Sequence, residues 1–414
     1  MVKRWVGHSV LVLTGCCMAV VLGEIGLRVL GISYPYFYIS DNLTGSSHKP
    51  GGEGLWNKEG EAYITINRAG LRDREHNLEK AAGTFRIVLL GDSYTEALQV
   101  PMEQTFGARL EQELSGCPAL AGRHVETVNF GVSGYSTAQE LLALRHKVPP
   151  YHPDLVLLAF FTGNDVRGNS RELDGHGMSP YFLMRDGSLV LDDSFRRSME
   201  FRLQQLPFSS EAFEASRVLQ VFREAKYKLR AYLNKTTHRQ RMLNRGDPAI
   251  DLESAVYLEP RDPVWDTAWK ITEALIVLMK QEAEDGGSRF LLVSLSNPDQ
   301  VHPDLQHRQA VARQLGVPDL FYPDRRLQAL AKREDMALLS LAEPLAVYAV
   351  QKGIFLHGFP NAQMGRGHWN ASAHRLAGHL MSERICGILT SHEAEVPERS
   401  YHYKHVGRSS LFFS

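Results

Sequence analysis

The chain has 414 residues, with 46 Lys and Arg against 47 Asp and Glu and a formal net charge of −1. That balance gives no electrostatic case for a nucleic-acid partner, and 43% hydrophobic with 22% charged residues is the composition of a folded protein with a sizeable core. The length calls for one large domain with insertions, or for two.

In chain order, Lys3 and Arg4 precede an apolar run from Trp5 to Gly23, close to the roughly 20 residues a helix needs to cross a bilayer. The two cations favour a cytoplasmic N-terminus, so residues 1–31 read as a signal anchor with the rest of the chain across the membrane. A cleaved signal is the rival, although no A-x-A-like site follows the run. Leu13-Thr14-Gly15-Cys16 also has the form of a lipoprotein processing box, yet the run stays apolar through Val20, Val21 and Leu22. Residues 32–82 read as a linker and an arm, with one short strand at Tyr63–Ile66.

From residue 83 the pattern becomes alternating strand and helix. Arg86–Leu90, Val125–Phe130, Leu155–Phe161, Phe290–Leu295 and Ala337–Leu341 are continuous apolar runs bounded by turn residues, as in parallel strands buried on both faces. Between them, Thr105 can cap a helix through Leu114, and Thr137 to Glu140 fits a capping box for the next. Trp265–Glu284 and Ala371–Leu389 carry apolar stripes at helical spacing. These units predict an α/β fold with a doubly wound parallel sheet over residues 83–395, whose ligands sit beyond the C-terminal strand ends. Residues 166–263 break the rhythm and read as a charged insertion poor in strand signals, with a basic helical part near Phe222–Arg245. Residues 396–414 read as a weakly ordered tail. Cys117 and Cys386 are the only cysteines beyond the apolar run; pairing needs Cα atoms about 4.4–6.8 Å apart, which the sequence leaves open. No Cys/His spacing suggests a metal site.

Four short segments carry chemistry. Gly91-Asp92-Ser93 follows a strand and places the Ser93 hydroxyl at its C-terminal end, before a helix whose N-terminus favours negative charge. Asn129-Phe130-Gly131-Val132-Ser133-Gly134 is again strand into turn. Gly163-Asn164-Asp165 ends a third strand and offers a neutral amide donor. Gly367-His368-Trp369-Asn370 precedes the last helix, where a histidine can act as general base. Each alone is commonly just a turn or a cap.

Together, and in this order, they resemble the SGNH (GDSL-like lipase/acylhydrolase) family, in its membrane-anchored bacterial branch. The resemblance implies a three-layer αβα sandwich with a flavodoxin-like sheet. It further implies Ser93 as nucleophile, His368 as base, and an oxyanion hole from the Ser93 N–H, the Gly134 N–H and the Asn164 amide, with neither metal nor cofactor. The family's acid normally stands three residues before the histidine, where this chain has Gly365. A backbone carbonyl, Glu343, Asp324 or Asp304 are the candidates to orient the imidazole, and His374 is the rival base. The expected chemistry is hydrolysis of an ester-linked acyl group, possibly O-acetyl, outside the cytoplasm of a bacterium, by a protein of the inner membrane facing the periplasm or cell exterior. Transfer of the acyl group to a cell-envelope glycan, and glycan binding without turnover, are the alternatives.

Overall fold

In the computed structural model, residues 2–175, 177–205, 215–244 and 254–391 are described. The expected C-terminal tail lies outside them.

Helix α1 (Val2–Val29) includes an apolar stretch, Leu11–Val29, with mean hydropathy 1.8 and none of it buried. The arm that follows is more structured than expected. It folds into two antiparallel hairpins, β1 (Tyr38–Asp41) with β2 (Gly45–His48), and β3 (Glu53–Trp56) with β4 (Ala62–Thr65). Phe37, Ala62, Ile64 and Ile66 bury their side chains against Leu98, so the arm has a small core of its own against the main domain.

The main sheet has five parallel strands: β5 (Thr84–Gly91), β6 (His124–Asn129), β7 (Leu155–Phe161), β10 (Arg289–Leu295) and β11 (Leu338–Ser340). Their spatial order is β11-β10-β7-β5-β6. Counted within the sheet this is 2-1-3-4-5, the flavodoxin-like order, in which the chain reverses direction across the sheet between its first and third strands. Side chains alternate as the pleat requires. Val88, Leu90, Val156 and Leu158 point to one face; Ile87, Leu89, Leu155 and Leu157 point to the other.

Helices cover both faces, completing a three-layer αβα sandwich. The first face is covered by α4 (Thr137–His146), α6 (Pro263–Asp285), α7 (Leu305–Leu315) and α8 (Tyr322–Arg333), through Leu141, Trp269, Leu275 and Leu327. The second carries α3 (Phe106–Leu114), α9 (Ala342–Lys352) and α10 (Ala371–Thr390), through Phe106, Leu110, Leu345 and Met381. A Cys117–Cys386 disulfide, Cα–Cα 5.7 Å, ties the loop after α3 to α10.

Three local expectations need correction. The capping box of α4 is Ser136 with Gln139, one residue earlier than expected, because Ser136 has the extended backbone that an N-cap needs. The helix at Ser93, α2 (Ser93–Glu96), is a single turn ended by Ala97 in left-handed conformation, so a helix dipole contributes little there. The 166–263 insertion does contain strands: β8 (Tyr181–Arg185) and β9 (Ser188–Asp192) form a hairpin around Asp186-Gly187. Its long basic helix is α5 (Arg217–Asn244).

Candidate active site

β5, β6 and β7 end side by side, and the crevice beyond their C-terminal ends is where a sheet of this order binds ligands. Ser93 follows β5, Gly134 lies in the turn after β6, and Asn164 in the turn after β7. Asp92 caps α2 by accepting the Tyr94 N–H at 2.9 Å, which fixes the backbone around Ser93.

His368 comes from the other end of the chain. The segment carrying it is pinned by backbone bonds from Gly358 N–H to the His368 carbonyl (2.9 Å) and from Asn370 N–H to the Leu356 carbonyl (3.0 Å). Buried His357 reinforces this: its Nδ1 donates to the Gly367 carbonyl (2.8 Å), and its Nε2 accepts from Ser296 Oγ (3.1 Å), which in turn accepts the Trp369 indole N–H (2.9 Å). Burial, the largest influence, and the nearby His368 push the His357 pKa down to about 4, so its ring is neutral near pH 7.

So held, His368 Nε2 lies 2.9 Å from Ser93 Oγ. Its other ring nitrogen, Nδ1, lies 2.6 Å from Glu59 Oε2, and its backbone N–H donates to Glu59 Oε1 at 2.6 Å. An ionised carboxylate can only accept, so Nδ1 carries the proton and Nε2 is left to accept the Ser93 hydroxyl proton. Burial disfavours protonation of His368, but the Glu59 hydrogen bond and charge outweigh it, with Asp92 and Glu96 adding, and its pKa is raised. For Glu59, burial pushes upward, and the bonds and charge of His368 reverse this and lower its pKa.

The carboxylate that meets His368 therefore comes from the arm, in the turn between β3 and β4, and not from the side chains considered from sequence. Asp324 is engaged by Ser294 (2.8 Å) and Gln300 (2.7 Å), and Asp304 caps α7. Gly365 leaves the family's usual acid position empty, while Gly367 gives Glu59 its room, since a Cβ there would collide with Glu59 Oε1. The Glu59 backbone is fixed by the Trp56 indole donating to its carbonyl (2.9 Å) and by Asn361, which pairs with both the N–H (3.0 Å) and the carbonyl (2.9 Å) of Gly60. His374, the rival base, is buried on α10 with Nδ1 accepting the Phe106 N–H (3.2 Å), and burial pushes its pKa down to about 3.

The expected oxyanion donors surround the same crevice. The Asn164 amide donates to Asp92 Oδ2 at 2.7 Å, which orients the group and leaves its second N–H uncommitted by that bond. Gly134 is exposed, and its N–H makes no hydrogen bond among the described residues. Beside it, Ser133 donates its backbone N–H to Glu96 Oε2 (2.9 Å) and its hydroxyl to the same oxygen. Glu96 is fully buried and also accepts from Tyr38 (2.7 Å) and His48 (2.5 Å), both of the arm. Sequence reasoning missed Glu59, Glu96 and His48. The only trace of Glu96 was its place three residues after Ser93, where a helical turn returns it toward the site.

No family model and no curated protein matches the chain. Solved structures that align with it include an acetyl xylan esterase (13% identity, 73% of this chain and 100% of that one, TM-score 0.37). A lipase/acylhydrolase from Enterococcus faecalis aligns at 14% identity, with 75% and 100% coverage and a TM-score of 0.35. An acetylxylan esterase from Geobacillus stearothermophilus, in a catalytic mutant form, aligns at 12%, with 73% and 94% coverage and a TM-score of 0.35. The geometry of the site, rather than these likenesses, carries the functional reading.

Proposed function

We propose that this chain is a serine esterase of the SGNH type, anchored in the inner membrane of a bacterium by α1 with its catalytic domain outside the cytoplasm. The observation that carries the reading is His368, bridging Ser93 Oγ and the Glu59 carboxylate. Nε2 removes the hydroxyl proton as Ser93 Oγ attacks the acyl carbonyl, and Glu59 stabilises the imidazolium that forms. The Ser93 N–H, the Gly134 N–H and the Asn164 amide receive the oxyanion; one such donor is typically worth about 3–4 kcal/mol. His368 then returns the proton to the leaving alcohol. A water molecule, activated by the same nitrogen, releases the acid and restores Ser93. Where a sugar hydroxyl takes the place of water, the acyl group is transferred instead.

The substrate in this reading is an O-acylated small molecule or envelope glycan, with O-acetyl as the acyl group to test first. Glycan binding without turnover had its motive in a missing acid, and Glu59 removes that motive. The location is supported by the exposed apolar length of α1 and by the Cys117–Cys386 disulfide, a bond of oxidising compartments. A fluorophosphonate probe should label the protein at Ser93 and fail on Ser93→Ala; absence of labelling on the folded wild type defeats the enzyme reading. Reporter fusions after Ser33 should be active only outside the cytoplasm.

A further inference from the structure

We infer that α5 rests its apolar face on the bilayer surface beside α1, so that the catalytic domain meets the membrane at a second place. This rests on the reading of α1 as a membrane span.

α5 begins against the end of that span. Glu24 accepts from the backbone N–H of Arg217 (3.0 Å) and Val218 (3.1 Å) and from Ser216 Oγ (3.0 Å), while Arg28 donates to the Ala215 carbonyl (2.7 Å). The polar side of α5 then faces the protein. Gln220 is buried and accepts the Tyr34 N–H (2.9 Å), Arg223 donates to the Tyr34 carbonyl (2.7 Å), and Glu224 pairs with Lys58 (2.5 Å).

The other side is apolar and uncovered. Phe222 is 67% exposed, Leu229 59%, and Leu233 52%. Successive steps of seven and four residues place these three on one stripe. A helix of a soluble domain turns its apolar stripe inward and its polar face to water; α5 does the reverse. Exposed Lys226 lies within the stripe, one turn after Phe222, and a helix seated in the headgroup region of an anionic bilayer lays the alkyl stem of such a lysine along its apolar face with the ammonium at the headgroups. Phe222 to Leu233 covers roughly 17 Å of helix. The exposed stretch Leu11–Val29 of α1 adjoins the start of α5, where the Val218 N–H donates to Glu24.

The test uses the full chain with Cys16→Ser and Cys17→Ser, reconstituted in vesicles of phosphatidylethanolamine and phosphatidylglycerol. With Cys117 and Cys386 paired, one added thiol takes a fluorophore: Leu229→Cys on α5, or Met18→Cys on α1. Nitroxide lipids then report depth. The Met18→Cys label should be quenched most by deep nitroxides, and the Leu229→Cys label about twofold more by shallow than by deep ones. If the α1 label is quenched and the α5 label is not, α5 does not lie on the bilayer and the inference falls alone. An α5 label shielded from aqueous iodide yet untouched by nitroxide lipids means that protein covers the face, which also overturns it. If neither label meets lipid, the membrane reading itself falls.

Discussion

Glu59 holds His368 twice, by the ring Nδ1 and by the backbone N–H, both at 2.6 Å, across 309 positions of sequence. Two bonds to one carboxylate fix both the tautomer and the direction in which Nε2 points. An orienting acid set on an N-terminal hairpin leaves the loop before α10 free of any carboxylate of its own.

Glu59→Gln should keep the fold and lower kcat by about 10²–10⁴, the range set by loss of an orienting acid. The pH profile gives the sharper reading. The reactive form has neutral His368, so activity falls as pH drops through its raised pKa. Without the Glu59 charge that pKa falls, and the acid limb of kcat should move to lower pH. A limb that stays in place would separate Glu59 from the titration of the base.

Gly367→Ala should resemble Glu59→Gln, because the new methyl occupies the position of Glu59 Oε1. Gly365→Asp puts an acid at the family's usual position but should lower activity. Gly365 has φ +77, and a side chain there meets the Phe355 ring, while Nδ1 of His368 is already engaged. Hydrolysis of an activated acetyl ester measures both.

Ser93→Ala and His368→Ala should each remove nearly all turnover, and the double variant should be scarcely worse, since the two act as a unit. Asn164→Ala should cost on the order of 10²–10³ in kcat with little change in the unfolding transition. Activity surviving in His368→Ala would remove it as the base.

The stability contributed by His374 should depend on pH. Its folded pKa of about 3 lies below the value near 6.5 of an unfolded histidine. That contribution is fully present above about pH 6.5 and is lost as pH falls toward 3, where the unfolded chain binds the proton first. Asn in its place keeps an acceptor for the Phe106 N–H but cannot titrate. The difference in urea midpoint between wild type and His374→Asn should narrow from pH 7.5 to about pH 4.5.

Replacing both Cys117 and Cys386 with Ser opens a link between residues 269 apart in sequence. Losses of about 2–5 kcal/mol are usual for such a bond, which for a domain of this size is a Tm lower by about 3–8 °C. Activity at 25 °C should survive, since neither cysteine touches the site.

The sheet was legible because its strands are buried on both faces and read as unbroken apolar runs, such as Leu155–Phe161. The β8–β9 hairpin had its signal in Asp186-Gly187 between two short apolar runs, a turn pair that outranks the general polarity of the region. Ser93, Asn164 and His368 could be singled out as candidates because each stands at a strand or helix boundary with a glycine within two residues. Glu59 was not. A lone glutamate in a polar turn looks like any surface glutamate until the hairpin folds back on the Gly367 segment, and no local spacing encodes that contact.

The arm delivers Glu59 ahead of β5, and the segment before α10 delivers His368 after β11, so the groups of the proposed triad are made in the order acid, nucleophile, base. A ribosome that has released everything through β11 has produced all five strands of the main sheet and a serine with no base. The base joins the other two only when the segment before α10 has been made and docked. On the proposed reading, the chain carries no esterase power until the segment before α10 has docked, and then acquires it in one step.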